Sequence, residues 1–190
     1  MKNTVTAQVS YCFRSSPFGP VAVIWSIQGG RPRICRVALS KPGLSAVQIV
    51  KASFSDAISS SCSVIDKHAD QIEAFLRGND VLFSLDIIRL DLCSKFQQKV
   101  LRAEHGIPRG SVSTYKRIAK HLGEPFGARA VGTALATNPF PVIIPCHRAV
   151  RTDRTLGGYQ GGLEMKRALL EVEGVGFDEA GCVATENVFY

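Results

Sequence analysis

The sequence predicts an α/β fold in two parts: a small α/β or strand-rich unit over residues 1–90 and a mainly helical unit over 91–190. Three observations carry this. Two apolar, β-branched runs flank a Gly/Pro turn early in the chain, helical apolar spacing takes over from residue 92, and the charge changes abruptly between the two parts. The 190 residues are 45% hydrophobic and 21% charged, a globular balance that excludes a disordered or collagen-like polymer. No apolar run exceeds the five residues 21–25, far short of the roughly 18 that span a bilayer, so no membrane association is expected. The opening residues Met1, Lys2, Asn3 and Thr4 lack the apolar stretch of a secretory signal, which points to the cytoplasm, nucleoid or nucleus.

In the first unit, Phe18-Gly19-Pro20 reads as a turn, 21–27 as a strand, residues 28–32 as punctuation and 34–39 as a second strand, together a hairpin. Ile72, Phe75 and Leu76 at i, i+3 and i+4 predict an amphipathic helix over 69–76, stopped by Gly78. Nothing in this half assembles a catalytic constellation, so its expected role is support.

From 92 onward, Ser94 with Gln97 fits a capping box opening a helix that turns Phe96, Val100 and Leu101 inward. Ile107-Pro108-Arg109-Gly110 ends it. Ser113 or Thr114 caps a second helix over 115–122, closed by Gly123 and Pro125, and a third runs over 128–137 to Asn138-Pro139. Two short helices joined by a tight Gly/Pro turn outline a helix-turn-helix. Formal charge supports that outline: +3 over 1–91, +9 over 92–167 and −5 over 168–190. A +9 block recruits a polyanion, and nucleic acid is the natural one. The third helix is unusually thin. Gly127, Ala128, Ala130, Gly132, Ala134 and Ala136 surround a single long cation, Arg129, which suits close packing on another helix or entry into a narrow groove. The acidic segment after Gly174 is expected to be solvated.

Six cysteines at 12, 35, 62, 93, 146 and 182 include no C-x-x-C pair, so zinc ribbons, zinc fingers and thioredoxin-type redox sites get no support. One of them stands out. In Asn138-Pro139-Phe140-Pro141-Val142-Ile143-Ile144-Pro145-Cys146-His147-Arg148, three β-branched residues between prolines predict a short buried strand ending at Pro145, which puts Cys146 at a rim. A thiol with pKa about 8.5 is only a few per cent ionised at neutral pH and needs a base. Neighbours on a strand face opposite ways, so His147 can serve Cys146 only if the chain turns at Pro145, or through a water. An acidic residue must orient the imidazole; Glu173, Glu171 and Asp153 all qualify. An isolated Cys-His pair is usually structural. Here it is followed by the glycine-rich segment 156–162, which could lie closely over a flat ligand, and which lacks the spacing of a phosphate loop.

These residues resemble the O6-alkylguanine-DNA alkyltransferases. The shared pieces are Ile107-Pro108-Arg109-Gly110 with Thr114-Tyr115, Arg129-Ala130-Val131-Gly132, Asn138-Pro139, Ile144-Pro145-Cys146-His147-Arg148, 157–162 and Glu173-Gly174, continuous from about 95 to 174. Ser16-Pro17-Phe18-Gly19 looks like the family's opening turn. The resemblance implies a ribonuclease-H-like α/β domain over 1–90, and a winged helix-turn-helix domain with an acidic tail over 91–190. It further implies a monomer that binds double-stranded DNA from the minor groove and flips out O6-alkylguanine. The alkyl group then passes to Cys146 once, irreversibly and without cofactor, which leaves O4-alkylthymine open as a second substrate.

By the same resemblance, His147 with Glu173 activates Cys146 through a water, Asn138 braces the turn, and Arg129 fills the place of the flipped nucleotide. Tyr115 crowds the target phosphate and protonates the departing guanine. Thr114, Ala128, Ala130 and Gly132 contact DNA, while Leu135, backbone groups of Cys146 and Ala149, and Leu156, Gly157, Tyr159, Gln160 and Gly161 form the base pocket. Lys116, Ala149 and Gln160 depart from the family's usual residues, and no ligand set stands at the zinc site some members carry. Two other readings fit the residues less well: a sensor of alkylated bases, whose relatives replace the cysteine retained here, and a papain-like hydrolase, whose distant His and Asn/Asp are missing.

Overall fold

The computed structural model describes residues 8–190; the residues 1–4 on which the secretory-signal expectation rests lie outside the described residues. Strands β1 (Val9–Arg14), β2 (Val21–Gln28), β3 (Arg31–Leu39) and β4 (Ile58–Ser59) form one mixed sheet in the order β3-β2-β1-β4. β4 alone is parallel to its neighbour. β2 is buried on both faces because alternate side chains serve two layers. Ala22 and Ile24 share a cluster with Ala46 and Val50 of α1 (Ala46–Ser53), while Val21, Val23 and Trp25 join Ile65, Ile72 and Phe75 of α2 (Ser63–Leu76).

The expected hairpin is present but longer. Its turn shrinks to Gly29 and Gly30, with φ of 55° and 75°, and β3 resumes at once. Two positive φ angles are what a two-residue hairpin turn demands. Pro32 is tolerated because β3 lies at the sheet edge, where a missing N–H is no loss. The helix expected over 69–76 begins at Ser63. Three elements of this half were not expected: β1, β4, and α1, where Ser45 and Gln48 cap each other reciprocally.

The second half comprises α3 (Lys95–His105), β5 (Ser113–Thr114), α4 (Tyr115–His121), α5 (Ala128–Ala136), β6 (Ala149–Val150), α6 (Leu163–Val172), β7 (Gly176–Phe177) and β8 (Val183–Ala184). Ser94 caps α3 through the Gln97 N–H, yet the expected box is only half formed. The Gln97 side chain turns away and donates to the Ala134 and Thr137 carbonyls, tying α3 to α5. β5 and β6 pair in parallel. The acidic segment is not a solvated tail. β7 and β8 pair, then the chain runs back along β5, with the Val112 N–H on the Asn187 carbonyl (3.0 Å), the Phe189 N–H on the Val112 carbonyl (2.8 Å) and the Tyr190 hydroxyl on the Ala103 carbonyl (2.8 Å).

One apolar cluster runs from Val23 and Phe75 through Val100 to Cys146, so the sheet unit backs the cysteine directly. The Val37 N–H donates to the Pro139 carbonyl at 2.8 Å, fixing the segment before that cysteine against β3. Among the described residues no helix is long and apolar enough to cross a membrane.

Candidate active site

The short strand expected before Cys146 is a tight turn instead. Val142 holds φ of 76°, a rare conformation for a β-branched residue, and the Ile144 N–H closes back onto the Phe140 carbonyl at 2.9 Å. Pro139, Pro141 and Pro145 remove three ladder donors, so a strand could not pair here. The buried Asn138 side chain replaces the ladder: its Oδ1 accepts from the Phe140 N–H (2.9 Å), and its Nδ2 donates to the Ile144 carbonyl (3.2 Å) and to Cys146 Sγ (3.3 Å).

The chain then turns through one 3₁₀ turn, Cys146–Arg148, with the Arg148 N–H on the Pro145 carbonyl at 2.8 Å. That turn removes the opposite-face objection to pairing Cys146 with His147. His147 is fully buried, and its Nε2 lies 2.9 Å from Glu173 Oε1. A carboxylate only accepts, so Nε2 carries the proton and Nδ1 presents a lone pair. Among the described residues Nδ1 has no hydrogen-bond partner. Burial lowers the His147 pKa, against the opposing pull of Glu173, and keeps the ring neutral.

Burial alone would raise Glu173, but hydrogen bonds from His147 and Arg148 outweigh it and hold the carboxyl down at about 2. Arg148 grips both carboxylate oxygens, Nε to Oε2 at 2.9 Å and Nη2 to Oε1 at 2.8 Å, and spends Nη1 on the Ile107 carbonyl at 2.6 Å. The rival acids are engaged elsewhere, Glu171 with Arg167 and Asp153 with Thr155. Burial pushes the Cys146 thiol up to about 12 in spite of the Asn138 hydrogen bond.

Cys146 opens onto a cavity of about 610 Å³, walled by Tyr115, Leu135, Gly157, Tyr159 and Gln160 among others. Gly157, at φ of 67°, lies so close to Tyr115 that an added Cβ would stand 2.8 Å from the phenol oxygen. Burial pushes that phenol up to about 12, so it stays protonated. The Gln160 amide donates to the Asn138 carbonyl at 2.7 Å, closing the lip. The Tyr159 ring stands edge-on to His147 at 6.2 Å.

Three residues expected in the pocket do not line it. Leu156 turns to the cluster under β5 and the C-terminal strands. Ala149 is fully buried in β6. Gly161 is where Met165 packs, its sulfur 2.2 Å from the position a Cβ would take. On the outer side, Arg129 and Ala130 are exposed on α5, and Ala128, Arg129 and Gly132 line a shallow groove shared with Tyr115, Lys116 and Arg151. Thr114 is nearly buried, its hydroxyl oxygen capping α4 through the Arg117 N–H at 3.1 Å.

Sequence reasoning missed four contributors. Lys41 and Pro42, from the supporting half, wall the cavity. Lys166 is fully buried, and its ammonium donates to the carbonyls of Ala149 (2.6 Å), Leu156 and Gly158, drawing the glycine-rich segment over the cysteine. Burial lowers its pKa to about 8. Glu104 on α3 is also fully buried, neither carboxylate oxygen has a partner among the described residues, and burial raises its pKa to about 8. Both sit at positions where the i, i+3, i+4 pattern calls for an apolar residue, a legible signal. Among the described residues no three His, Cys, Asp or Glu side chains gather as a metal site.

Comparison with known proteins adds to this geometry. Residues 95–175 match the family model described as 6-O-methylguanine DNA methyltransferase, DNA binding domain. A methylated-DNA–protein-cysteine methyltransferase of Methanothermobacter thermautotrophicus is 43% identical over 120 residues, covering 63% of this chain and 67% of the relative. Its Mycobacterium leprae counterpart is 43% identical over 104 residues, covering 54% and 61%. The chain thus spans about two thirds of these relatives' length by sequence. In three dimensions the match is longer. The crystal structure of the Mycobacterium tuberculosis O6-methylguanine methyltransferase superposes with a TM-score of 0.68 at 31% identity, over 87% of this chain and 93% of that one. A complex of the same enzyme with DNA gives 0.68 over 86% and 92%.

Proposed function

The chain belongs to the methylated-DNA–protein-cysteine methyltransferase family, and we propose that it repairs O6-alkylguanine in double-stranded DNA by moving the alkyl group irreversibly onto Cys146. The observation that carries this is the cysteine at the cavity wall, with Asn138 on its sulfur and a buried neutral imidazole in the same turn whose proton is held by Glu173.

At pH 7 a thiol of pKa about 12 is ionised in about one part in 10⁵, a cost of about 7 kcal/mol. The proton therefore leaves during attack rather than before it, through a water to His147 Nδ1. Sγ bonds to the alkyl carbon as the carbon–O6 bond breaks. The electron pair stays on guanine, which takes a proton from Tyr115, and Tyr115 is reprotonated by the proton His147 received. The net transfer is thiol proton to guanine and alkyl group to sulfur. A thioether has no leaving group, so each chain reacts once.

The alkyl carbon lies inside the base stack, so the nucleotide is extruded at a cost of a few kcal/mol, offset by phosphate contacts of the basic half and by an inserted side chain. Exposed Arg129 on the thin α5 supports that inserted role, with Ala128, Ala130 and Gly132 letting the helix sit in the minor groove. Ala149 would contribute backbone rather than side chain to base recognition. We assign the sheet half, 1–90, to a ribonuclease-H-like domain and 91–190 to a winged helix-turn-helix domain, acting as a monomer on DNA inside the cell. The α4–Gly123–α5 turn and the β5–β6 ladder support the second assignment.

The test is stoichiometry. Mixed with excess O6-methylguanine duplex, the protein should remove one methyl per chain and then stop; continued turnover, or no loss of the lesion, overturns the proposal.

A further inference from the structure

The C-terminal segment forms one wall of a second cavity, of about 720 Å³, which shares no lining residue with the reactive cysteine's pocket. Val112 and Val150 give an apolar floor, Val183 and Val188 the wall, and Lys120 and Arg154 stand exposed at the rim. None of the residues around it is acidic, although the segment that builds the wall belongs to the most acidic stretch of the chain. None of the acids of that stretch lines the cavity, whose charged lining residues are Lys116, Arg117, Lys120 and Arg154.

Arg154 adds an independent sign. It holds φ of 65°, its N–H closes onto the Arg151 carbonyl at 3.0 Å, and its own carbonyl accepts from the Val183 N–H at 2.9 Å. A left-handed backbone suits glycine or asparagine far better than arginine, and the conformation costs of order 1 kcal/mol. The C-terminal segment locks the turn, and an arginine at its tip delivers a guanidinium to the rim. The cavity is also continuous with the groove beside α5, because Lys116 and Thr152 line both.

We propose that this cleft takes the phosphodiester backbone of DNA flanking the lesion, carrying the footprint from α5 across α4 to the C-terminal segment. The inference rests on the reading that α5 enters the duplex. Phosphates lie against Lys120 and Arg154 while the valines meet the apolar faces of the deoxyriboses. The acidic wall segment acts as a built part of the DNA surface, placed there by its strand pairing rather than its charge.

The test is the salt dependence of duplex binding by Lys120→Gln/Arg154→Asn. Both side chains are exposed, and asparagine tolerates the left-handed backbone. Each phosphate contact adds about 0.9 to the slope of log K against log salt, so the double variant should show a slope smaller by about 1.8. Between 50 and 200 mM salt, the parent should then lose about tenfold more affinity than the variant. Trimming the duplex on one side of the lesion should abolish the difference, and trimming the other side should not, while reaction with free O6-benzylguanine stays at the parent rate. An unchanged slope overturns the cleft alone. Thermal protection by a mononucleotide with an unchanged slope makes it a nucleotide site and overturns it too. Failure of the parent itself to bind DNA overturns both this inference and the proposed function.

Discussion

His147 and Glu173 meet at 2.9 Å with both side chains fully buried, and the same carboxylate is clamped by Arg148. One acid thus fixes the tautomer of the base and neutralises a buried guanidinium. Glu173→Gln should leave Arg148 uncompensated and cost about 3–5 kcal/mol at pH 7. The Glu173 pKa is depressed, from 4.5 to about 2, so its contribution is full above about pH 4.5 and disappears as pH falls through 2. Urea melts should therefore show the parent and variant converging in acid; a constant gap from pH 7 to 2 contradicts the role.

Glu104 has the opposite sign. Its pKa is raised from 4.5 to about 8, so the fold is most favoured below pH 4.5 and loses stability as pH rises to 8, by up to about 5 kcal/mol. Glu104→Leu should flatten that decline in urea midpoints measured at pH 5 and pH 8. Lys166 confuses neither window, because its lowered pKa of about 8 acts between 8 and 10.5. Equal slopes for parent and variant would show that Glu104 finds a partner.

Because the proton leaves during attack to an imidazole that burial keeps neutral, reaction with free O6-benzylguanine should change little between pH 7 and 9 and slow in acid, as pH falls through the lowered His147 pKa and the base is lost. Asn138 donates to the sulfur and lowers its pKa, so Asn138→Ala should slow the reaction at every pH below 12. It should also destabilise the chain by about 1–3 kcal/mol, since the buried Phe140 N–H loses its acceptor. A rate rising tenfold per unit through neutral pH would mean that the thiolate forms before attack, without His147 as base.

Gly157→Ala meets both a left-handed backbone and the Tyr115 hydroxyl at 2.8 Å. Tyr115 must move, so transfer should slow at least tenfold with a loss of about 1–2 kcal/mol in stability. A variant with parent rates detaches Tyr115 from proton delivery.

Arg129→Ala should slow repair in duplex far more than reaction with the free base, because only the duplex requires extrusion. Equal losses on the two substrates reject the inserted role.

What the sequence revealed follows from what is local. The caps at Ser94 and Thr114, the glycine turn at 29–30 and the helical stripes are short-range signals, and each marked its element. The Pro-rich approach to Cys146 was misread as a strand because β-branched residues outweighed three missing N–H donors and an asparagine able to replace them. The residues alone narrowed the orienting acid to three, and only the family resemblance singled out Glu173, since the choice depends on where α6 ends relative to Arg148. Lys41 and Pro42 carry no local sign of the cavity, because only the packing of β3 against the turn brings them there. The C-terminal segment was read by its charge alone, whereas its strand pairing with 112–113 depends on contacts more than 70 residues apart.

The most direct check on Cys146 as acceptor is peptide mapping by mass spectrometry after reaction with O6-methylguanine duplex. The account requires one methyl per chain on the peptide holding Cys146 and none on those holding Cys12, Cys35, Cys62, Cys93 or Cys182. A methyl on any of these five, or transfer that survives Cys146→Ala, contradicts it.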